Sequence, residues 1–289
     1  EDGGYIVCGT TESFGNGSHD VYLIKTDENG NVVWTKTYGG IESDFGDSIQ
    51  QTEDGGYIVC GTTESFGNGS NDFYLIKTDE NGNEIWSQTY GGIYYEFAES
   101  VQQTTDGGYV ICGTTESFGN GSHDVYLIKT DENGNEIWSQ TYGGDENDNA
   151  SSVQQTSDGG YIVCGKTASF ENNNFDVYLV KTDENGNEIW MQTYGESELE
   201  YDAGESVEQT IDGGYIVCGT TQSFGNGDDN FYLIRTDFEG VVGHVTIDEI
   251  TDNKSLIKSI DPLGREATNK GFQLHIYDDG SVEKKYLIK

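Results

Sequence analysis

Carboxylate side chains are concentrated in four segments of this chain, GGIESDFGDS, GGIYYEFAES, GGDENDNASS and GESELEYDAGES, and aromatic side chains are interleaved with them in all but the third. Carboxylate oxygens are the ligands that Ca²⁺ prefers, and exposed aromatic rings are surfaces on which sugar rings stack. These segments therefore predict a surface that binds calcium or a glycan, and the alternative is a solvated, charged rim. The aromatic candidates for ligand binding are Phe45, Tyr94, Tyr95, Phe97 and Tyr201. The candidate calcium ligands are Asp145, Glu146 and Asp148.

Other carboxylates are expected on the same surface. They are Asp44, Asp47, Glu96, Glu99, Glu198, Glu200 and Asp202. The sequence DENGN, which occurs four times, also resembles a calcium loop, but most copies lack the later bidentate carboxylate. We therefore favour a hairpin turn there, because Asn-Gly is the preferred pair of a type I′ turn.

The cysteine, histidine and lysine residues do not assemble into a catalytic pattern. The five cysteines, Cys8, Cys60, Cys112, Cys164 and Cys218, occupy equivalent places, which predicts separate buried thiols rather than disulfides. No CxxC or HxxxH pair indicates zinc. His19, His123 and Lys166 are interpreted as surface residues, and the glycine-rich SFGNGS loops lack the strand-to-helix step of a phosphate site. Neither a nucleotide nor a quinone cofactor is predicted.

An internal repeat must position these segments. The string DGGY begins at residues 2, 54, 106, 158 and 212, so five units of about 52 residues follow one another. Each unit contains four segments of β type, such as GYIVCGTT, DVYLIKTD, EIWSQTYG and ESVQQT, joined by DGG and DENGN turns. Residues 1–245 are therefore predicted to form an all-β body, a β-propeller of about five four-stranded blades, with the first and last blades incomplete.

The segment YLIKTDENGNEIW resembles the repeat of quinoprotein-like β-propellers. That resemblance implies that Trp34, Trp86, Trp138 and Trp190 dock each blade on its neighbour, and that ESVQQT is the innermost strand. The fifth unit departs from the pattern, because His244 replaces the tryptophan and Phe238, Glu239 and Gly240 replace the asparagine turn. The sequence therefore does not decide whether that unit has an outer strand or whether the blades close into a ring.

The charge of the chain limits its partners. With 52 acidic and 14 basic residues the net charge is −38, which disfavours nucleic acids and anionic membranes. No apolar stretch reaches the roughly 20 residues that span a bilayer. Cations and neutral polymers are the better candidates.

The composition changes near residue 246. Residues 246–289 are predicted to form a small β domain resembling a sandwich, with strands in LIKSID, FQLHIY and VEKKYLIK. The segments SIDPLGRE and IYDDGSVEKKYLIK resemble the C-terminal sorting domain of Bacteroidota proteins. The resemblance implies recognition by the type IX secretion machinery, export across the outer membrane and a secreted or cell-surface location.

Two classes of function remain for the whole chain. The first is a non-catalytic, secreted binding or adhesion propeller with a glycan or protein ligand. The alternative is the propeller portion of a secreted enzyme whose catalytic residues lie upstream of Glu1. Because no nucleophile is paired with a base in the sequence, we favour the binding protein.

Overall fold

A computed structural model of the chain describes residues 3–170, 174–195, 200–224, 229–242, 256–260, 271–277 and 282–287. The chain divides into two compact units, Glu1–Gly243 and His244–Lys289. The described residues are strands, turns and loops, and none of them is helical. Accordingly, no helix in these ranges is long and apolar enough to cross a membrane.

The first unit contains five antiparallel sheets, one for each sequence repeat. The first sheet has three strands, β1 (Ile6–Thr11), β2 (Asp20–Thr26) and β3 (Val32–Tyr38). The second has β4 (Asp44–Gln51), β5 (Tyr57–Thr63), β6 (Asp72–Thr78) and β7 (Glu84–Tyr90). The third has β8 (Glu96–Gln103), β9 (Tyr109–Thr115), β10 (Asp124–Thr130) and β11 (Glu136–Tyr142). The fourth has β12 (Asp148–Gln155), β13 (Tyr161–Thr167), β14 (Asp176–Thr182) and β15 (Glu188–Tyr194). The fifth has β16 (Asp202–Gln209), β17 (Tyr215–Thr221) and β18 (Asn230–Thr236).

Consecutive strands pair as meanders, so sequence order and spatial order agree within each sheet. The DGG turn joins the first two strands of a sheet. In the second sheet, the Gly56 carbonyl accepts a hydrogen bond from the Thr52 N–H, and Gly55 has a φ of +87°. That left-handed conformation favours glycine, which explains the glycine at this position in every copy of the turn.

The DENGN segments form turns, as predicted, although the turn is longer than a two-residue type I′ loop. In the second sheet, the N–H of Asp79 bonds the Asn83 carbonyl, and only Gly82 has a positive φ, +70°. The Asp79 carboxylate accepts hydrogen bonds from the N–H groups of Asn81 and Asn83 and from the Asn83 amide. These bonds engage both carboxylate oxygens within the turn.

The sheets pack face to face through their two middle strands. On β6, Phe73 and Leu75 face the third sheet, whereas Tyr74 and Ile76 join a cluster with residues of the first. Every residue of β5 and β6 is buried, which explains why YIVC and FYLI are continuous apolar runs rather than alternating ones.

Each predicted docking tryptophan contacts the following sheet, which confirms that prediction. The Trp86 ring lies 5.8 Å from the Tyr109 ring, edge to face, and covers the turn glycine Gly134. The Tyr90 hydroxyl donates a hydrogen bond of 2.6 Å to the Gly134 carbonyl. The same arrangement recurs at the other three junctions.

The first strands of the four later sheets, β4, β8, β12 and β16, lie side by side. They are linked by glutamine side chains: the Gln50 amide oxygen accepts the Gln103 N–H at 2.6 Å, and Gln102 repeats this with Gln155. The ESVQQT segments are therefore the strands at which successive sheets converge. The arrangement is of the β-propeller type, and ring closure is not detected among the described residues.

The fifth sheet keeps its turn despite the change of sequence. The Asp237 N–H bonds the Val241 carbonyl, Gly240 has a φ of +77°, and the Tyr194 hydroxyl bonds the Gly240 carbonyl. The chain after this turn is described only to residue 242, with one bridge between Thr236 and Val242. His244 lies outside the described residues.

All five cysteines are free thiols, as predicted. Cys60, Cys112 and Cys164 are buried in the contacts between sheets, and burial raises the pKa of each thiol. Thiols with raised pKa values carry little thiolate, so these side chains act as small apolar groups.

The second unit contains one antiparallel sheet of three strands, β19 (Leu256–Ile260), β20 (Gly271–Tyr277) and β21 (Val282–Leu287), in that order. These strands coincide with the three predicted segments. Within the ranges that the structure describes, they form a single sheet rather than the two layers of a sandwich.

Candidate functional site

One end of the five sheets carries the segments that differ from repeat to repeat. We call this surface the loop face: it comprises the connectors that precede β4, β8, β12 and β16, and the loops that precede β2, β6, β10 and β14. Parallel bridges join His19 to Ser43, Asn71 to Tyr95 and His123 to Asn147. Each connector also reaches the next repeat, because the Tyr94 N–H bonds the Ser117 hydroxyl at 3.0 Å.

The first residue of each inner strand is a buried acid. Asp148 accepts hydrogen bonds from the Thr167 hydroxyl, the Ser169 hydroxyl at 2.6 Å and the Gly144 N–H at 2.8 Å. Asp44, Glu96 and Asp202 occupy the equivalent position, and all four are fully buried. These acids tie the connector to the following repeat, and their oxygen atoms are committed to that function.

A second acid lies beside each of these. Asp72 and Glu96 both approach Gly91 so closely that a Cβ there would lie 2.1 Å and 2.4 Å from their oxygens. Burial, followed by the charge of Glu96, raises the pKa of Asp72, and Asp124 is raised in the same way beside Asp148. Position 91 is therefore glycine because a side chain there would collide with the carboxyl groups of Asp72 and Glu96.

The structure does not bring the three predicted calcium ligands together. Asp145 and Glu146 are exposed in the connector, whereas Asp148 is buried and bonded to Thr167 and Ser169. Within the described ranges, no group of three or more His, Cys, Asp or Glu side chains is arranged to hold a metal ion. Glu198 lies outside the described residues.

Three of the predicted aromatic residues form an exposed cluster. Tyr94, Tyr95 and Phe97 are 53%, 44% and 36% exposed, and the rings of Tyr95 and Phe97 are parallel within 3°, with centroids 6.2 Å apart. Phe45 is half-buried against His19, with ring centroids 5.1 Å apart. The second connector thus presents a flat apolar surface to solvent.

Tyr201 belongs to a different cluster, which contains Lys166. The Lys166 ammonium lies 2.9 Å from the Tyr201 hydroxyl, 4.8 Å from the centre of the Phe175 ring and 5.2 Å from the centre of the Tyr201 ring. Contacts of this kind stabilise a cation over aromatic faces. Lys166 is thus half-buried in an aromatic environment rather than a solvated edge residue, which corrects its sequence interpretation.

The sequence signal for this cluster was a pair of departures from the repeat. Lys166 replaces a threonine, equivalent to Thr62, whose hydroxyl accepts the Ala98 N–H of the following sheet at 3.3 Å. Phe175 stands where the other repeats have His19, Asn71 and His123. Lys166 lies on β13 and Phe175 lies directly before the neighbouring strand β14, so their proximity was visible only after the pairing was known.

Two of the carboxylates expected on the acidic surface, Asp47 and Glu99, lie at β-bulges, which the sequence did not predict, and Glu205 lies at a third. Asp47, Glu99 and Glu205 are the extra residues at register shifts in β4, β8 and β16. Partial desolvation raises the pKa of Asp47 to about 6. Desolvation and the charges of Asp47 and Glu205 raise the pKa of Glu99 to about 7, while Lys166 opposes the shift. These side chains can therefore exchange protons near neutral pH.

The two histidines of the loop face contact carboxylates. His19 Nε2 lies 3.0 Å from Glu12 Oε1, and Ser18 Oγ lies 3.3 Å from His19 Nδ1. The Ser18, His19 and Glu12 side chains form an exposed chain of hydrogen bonds without a surrounding pocket. In the third repeat, His123 Nδ1 instead contacts Asn147 Oδ1 at 2.9 Å, so the two copies do not share a hydroxyl beside the imidazole.

Two concave regions accompany these side chains. A cleft of about 530 Å³ between the second and third sheets is lined by Asp72, Tyr90, Phe118 and Tyr126, among others. A second, of about 260 Å³, lies along the inner strands and is lined by Gln50, Gln102, Gln154 and their neighbours.

No family model matches the chain. The regulatory protein FlaEY of Caulobacter vibrioides is 25% identical in an alignment 162 positions long, which covers 47% of this chain and 17% of that protein. The matched region therefore spans about a sixth of the relative.

Similar solved structures share little sequence with this chain. An exo-β-1,3-galactanase described as putative, from Bifidobacterium bifidum, is 11% identical with a TM-score of 0.45, covering 81% of this chain and 84% of its own. An endo-arabinase from Bacteroides thetaiotaomicron is 9% identical with a TM-score of 0.41, covering 80% and 89%. YCF48 bound to a D1 peptide is 9% identical with a TM-score of 0.37, covering 93% and 74%.

Proposed function

We propose that this protein is a non-catalytic, secreted binding propeller that holds a neutral glycan on its loop face. The observation that carries the proposal is the exposed cluster of Tyr94, Tyr95 and Phe97. Its two parallel rings are already stacked, so a ligand would not have to order them. Exposed aromatic groups concentrated at one place are typical of binding surfaces.

The position of the cluster within the repeat supports a binding role. Residues equivalent to Tyr95 are Ser43, Asn147 and Tyr201, and Phe97 is replaced by asparagine or alanine in two other repeats. Side chains that the fold itself needs, such as Trp86, occur at all four junctions instead. An aromatic cluster that packing does not require is free to serve a ligand.

The charge of the chain favours an uncharged ligand. Glu96 and Glu99 lie in the same segment of the sequence as the aromatic cluster, and the whole chain carries a net charge of −38. A polyanion would be repelled, whereas hydroxyl groups of a neutral sugar can donate hydrogen bonds to carboxylates.

Affinity electrophoresis with neutral soluble polysaccharides, such as an arabinan, a galactan and a β-glucan, tests this proposal. The double variant Tyr95→Ala, Phe97→Ala should lose retardation at least about tenfold, which corresponds to about 1.4 kcal/mol. The matched control is Ile137→Ala, which removes an equally exposed apolar side chain from an outer strand. Equal retardation of both variants, or no retardation of the wild type by any neutral polysaccharide, contradicts the glycan proposal.

The proposal includes calcium as an accessory ligand on the same face. Asp145 and Glu146 are exposed, adjacent and free of the bonds that occupy Asp148. Two carboxylates completed by water or a sugar hydroxyl match the oxygen ligands that Ca²⁺ takes, with the weak affinity of extracellular sites.

We further propose that residues 246–289 direct the protein to the type IX secretion machinery and hence to the medium or cell surface. The support is the resemblance of SIDPLGRE and IYDDGSVEKKYLIK to C-terminal sorting domains. Deletion of residues 246–289 should retain the protein inside a Bacteroidota host, with its thermal unfolding unchanged. Appearance of the shortened protein in the medium at the wild-type level contradicts this step.

A second candidate function is hydrolysis of the bound polymer, and it rests on Asp47 and Glu99. Their pKa values of about 6 and about 7 suit a carboxyl group that donates or accepts a proton near neutral pH. Release of reducing ends from the polysaccharides above, abolished in Glu99→Gln, would favour the enzyme. Binding without release of reducing ends favours the non-catalytic propeller.

A further inference from the structure

The cleft between the second and third sheets is a site distinct from the exposed aromatic cluster, because Tyr94, Tyr95 and Phe97 do not line it. Its volume of about 530 Å³ is that of a small-molecule site, for which about 300 to 1,000 Å³ is typical. One wall is the end of β7 with Gly91, and the other is β11 with Phe118. Both sheets have all four strands, so neither end of the chain contributes to the walls.

An aromatic ring lies in one wall of the cleft. Phe118 packs at an angle on Tyr126, with ring centroids 5.4 Å apart, yet it is 43% exposed. Its equivalent Phe66 packs on Tyr74 in the same way and is 44% exposed. Burial explains why the strand tyrosines recur in the repeats, but it does not explain a recurring phenylalanine that leaves nearly half of its surface in solvent. The exposed ring is an apolar surface available to a ligand.

The other accessible side chains of the cleft are polar, and only one of them is charged. The uncharged ones carry hydroxyl or carboxamide groups and belong to Thr89, Ser139, Thr141, Asn68 and Gln140. Glu136 is the charged one, and it accepts a hydrogen bond of 2.8 Å from the Ser139 hydroxyl. Asp72 also lines the cleft, but it is buried and accepts the Asn68 N–H.

This set of groups selects the class of ligand. Hydroxyls and carboxamides both donate and accept hydrogen bonds, whereas a carboxylate only accepts them. An anion would be repelled by Glu136, and a cation would leave the carboxamide N–H groups without an acceptor. A neutral sugar fits both requirements, because its hydroxyls donate and accept, and its C–H face packs on an aromatic ring.

The chain contains a second copy of this cleft's residues and one altered copy. Every residue that lines the cleft has an identical equivalent at the junction of the first and second sheets, where the Ser87 hydroxyl also donates to Glu84, at 2.9 Å. We call these two positions the paired clefts. At the junction of the third and fourth sheets, Met191 replaces Ser139, and its side chain packs against the apolar cluster between those sheets. That junction lacks the hydroxyl and carries a longer, apolar side chain instead.

We propose that each of the paired clefts binds a unit of a neutral sugar, and that Met191 prevents this at the next junction. The sites include neither Tyr95 nor Phe97, so the proposal does not rest on the aromatic cluster. Two like sites on one chain bind a polymer or a surface that repeats the same sugar more tightly than either site alone, because the first contact raises the effective concentration for the second.

Binding of the methyl glycosides of glucose, galactose, mannose and arabinose to the full chain tests this proposal. Saturation-transfer NMR identifies the sugar that binds, and equilibrium dialysis with its radiolabelled form counts the equivalents bound per chain. The double variant Ser87→Met, Ser139→Met should lose two equivalents, and the fold accepts methionine there because the fourth repeat carries it. Ser157→Met, in an exposed turn outside the clefts, is the control and should bind like the wild type.

The reverse substitution makes the test independent of any loss of folding. Met191→Ser should add one equivalent, because it restores the residue of the paired clefts. Tyr95→Ala with Phe97→Ala should keep every equivalent, so failure of the aromatic cluster and failure of the clefts are observed separately. Circular dichroism confirms that each variant is folded. Absence of saturation transfer to all four sugars overturns the proposal, and so does an unchanged number of equivalents in either folded methionine-position variant.

Discussion

Every junction between two neighbouring sheets has two parts. One part has the same residues in each repeat, and we call it the copied half; the other part lies on the loop face and varies between repeats. In the copied half, a tryptophan and a tyrosine of one repeat cover the turn glycine of the next. At all four junctions the tryptophan ring also lies 5.7 to 6.0 Å from the ring of another tyrosine, which belongs to the next sheet. On the loop face, equivalent positions are not all alike: one series has phenylalanine at Phe45 and Phe97 but Asn149 and Ala203 in the other two repeats. The comparison teaches that repetition marks residues that the fold needs, and that departures from it mark positions available for ligands.

Removing a tryptophan from the copied half should have the largest effect. Trp86→Ala should lower the free energy of unfolding by about 3 kcal/mol, at the lower end for large aromatic residues because the ring is only partly buried. Urea denaturation measures this loss. Ile85→Ala on the same strand is the control and should cost about 0.5 kcal/mol or less, because Ile85 is exposed. Equal losses in the two variants would show that Trp86 does not dock the sheets.

The same contrast exists between two acids of one connector. Asp148→Ala should cost about 2 kcal/mol, because the Thr167 and Ser169 hydroxyls and the Gly144 N–H would lose a buried acceptor. Asp145→Ala should change stability by about 0.5 kcal/mol or less, since Asp145 is exposed. Thermal unfolding of both variants measures the difference. A harmless Asp148→Ala would mean that relief of repulsion from Asp124 offsets the lost bonds.

Sequence reasoning predicted the copied half well and the loop face less well. Repetition located the strands and the DENGN turns, and the resemblance to quinoprotein-like propellers implied the docking role of Trp34 and its equivalents. Asp148 was grouped with Asp145 and Glu146 because connector and strand cannot be separated by composition. The structure shows that burial begins at the first residue of β12.

The features that sequence reasoning did not predict depend on strand pairing. Asp47 and Glu99 lie at β-bulges, and a bulge is set by the register between two strands rather than by the residue itself. Lys166, Phe175 and Tyr201 come from three separate segments, and only Tyr201 was a candidate. The sequence showed which residues depart from the repeat, but it did not show that their side chains contact one another.

Calcium should stabilise the loop face without involving the copied half. A few millimolar Ca²⁺ should raise the free energy of unfolding by about 1 kcal/mol beyond sodium chloride of equal ionic strength, given a Kd near 10⁻³ M. The double variant Asp145→Asn, Glu146→Gln should lose this increment. Glu80→Gln with Glu132→Gln removes the same charge from exposed turns and should retain it. Equal stabilisation by the two salts indicates screening alone, and an increment that survives in the first variant moves the site elsewhere.

The pH dependence of the free energy of unfolding should also differ between the copied half and the loop face, and this is the smallest of the expected effects. In the copied turns, burial tends to raise the pKa of Asp54, but hydrogen bonds from Thr52 and Lys77 hold it at about 2. A lowered folded-state pKa contributes stability that is present above the unfolded value, near 4, and is lost as the pH falls toward 2. This contribution is therefore constant between pH 5 and pH 8.

The bulge carboxylates should behave in the opposite way over that interval. Their folded-state pKa values, about 6 for Asp47 and about 7 for Glu99, lie above the unfolded values near 4. The protonated carboxyl groups therefore make their full contribution to the free energy of unfolding below pH 4, and this contribution is lost as the pH rises through 6 and 7. Because these side chains are exposed, the loss should be below about 1 kcal/mol. Glu99→Gln should therefore raise the melting temperature slightly at pH 8 and leave it unchanged at pH 5. Lys77→Met serves as the reference, since it should lower the melting temperature by the same amount at pH 5 and pH 8. If the effect of Glu99→Gln is also the same at the two pH values, the pKa of Glu99 is not raised by Asp47 and Glu205 against the opposing charge of Lys166.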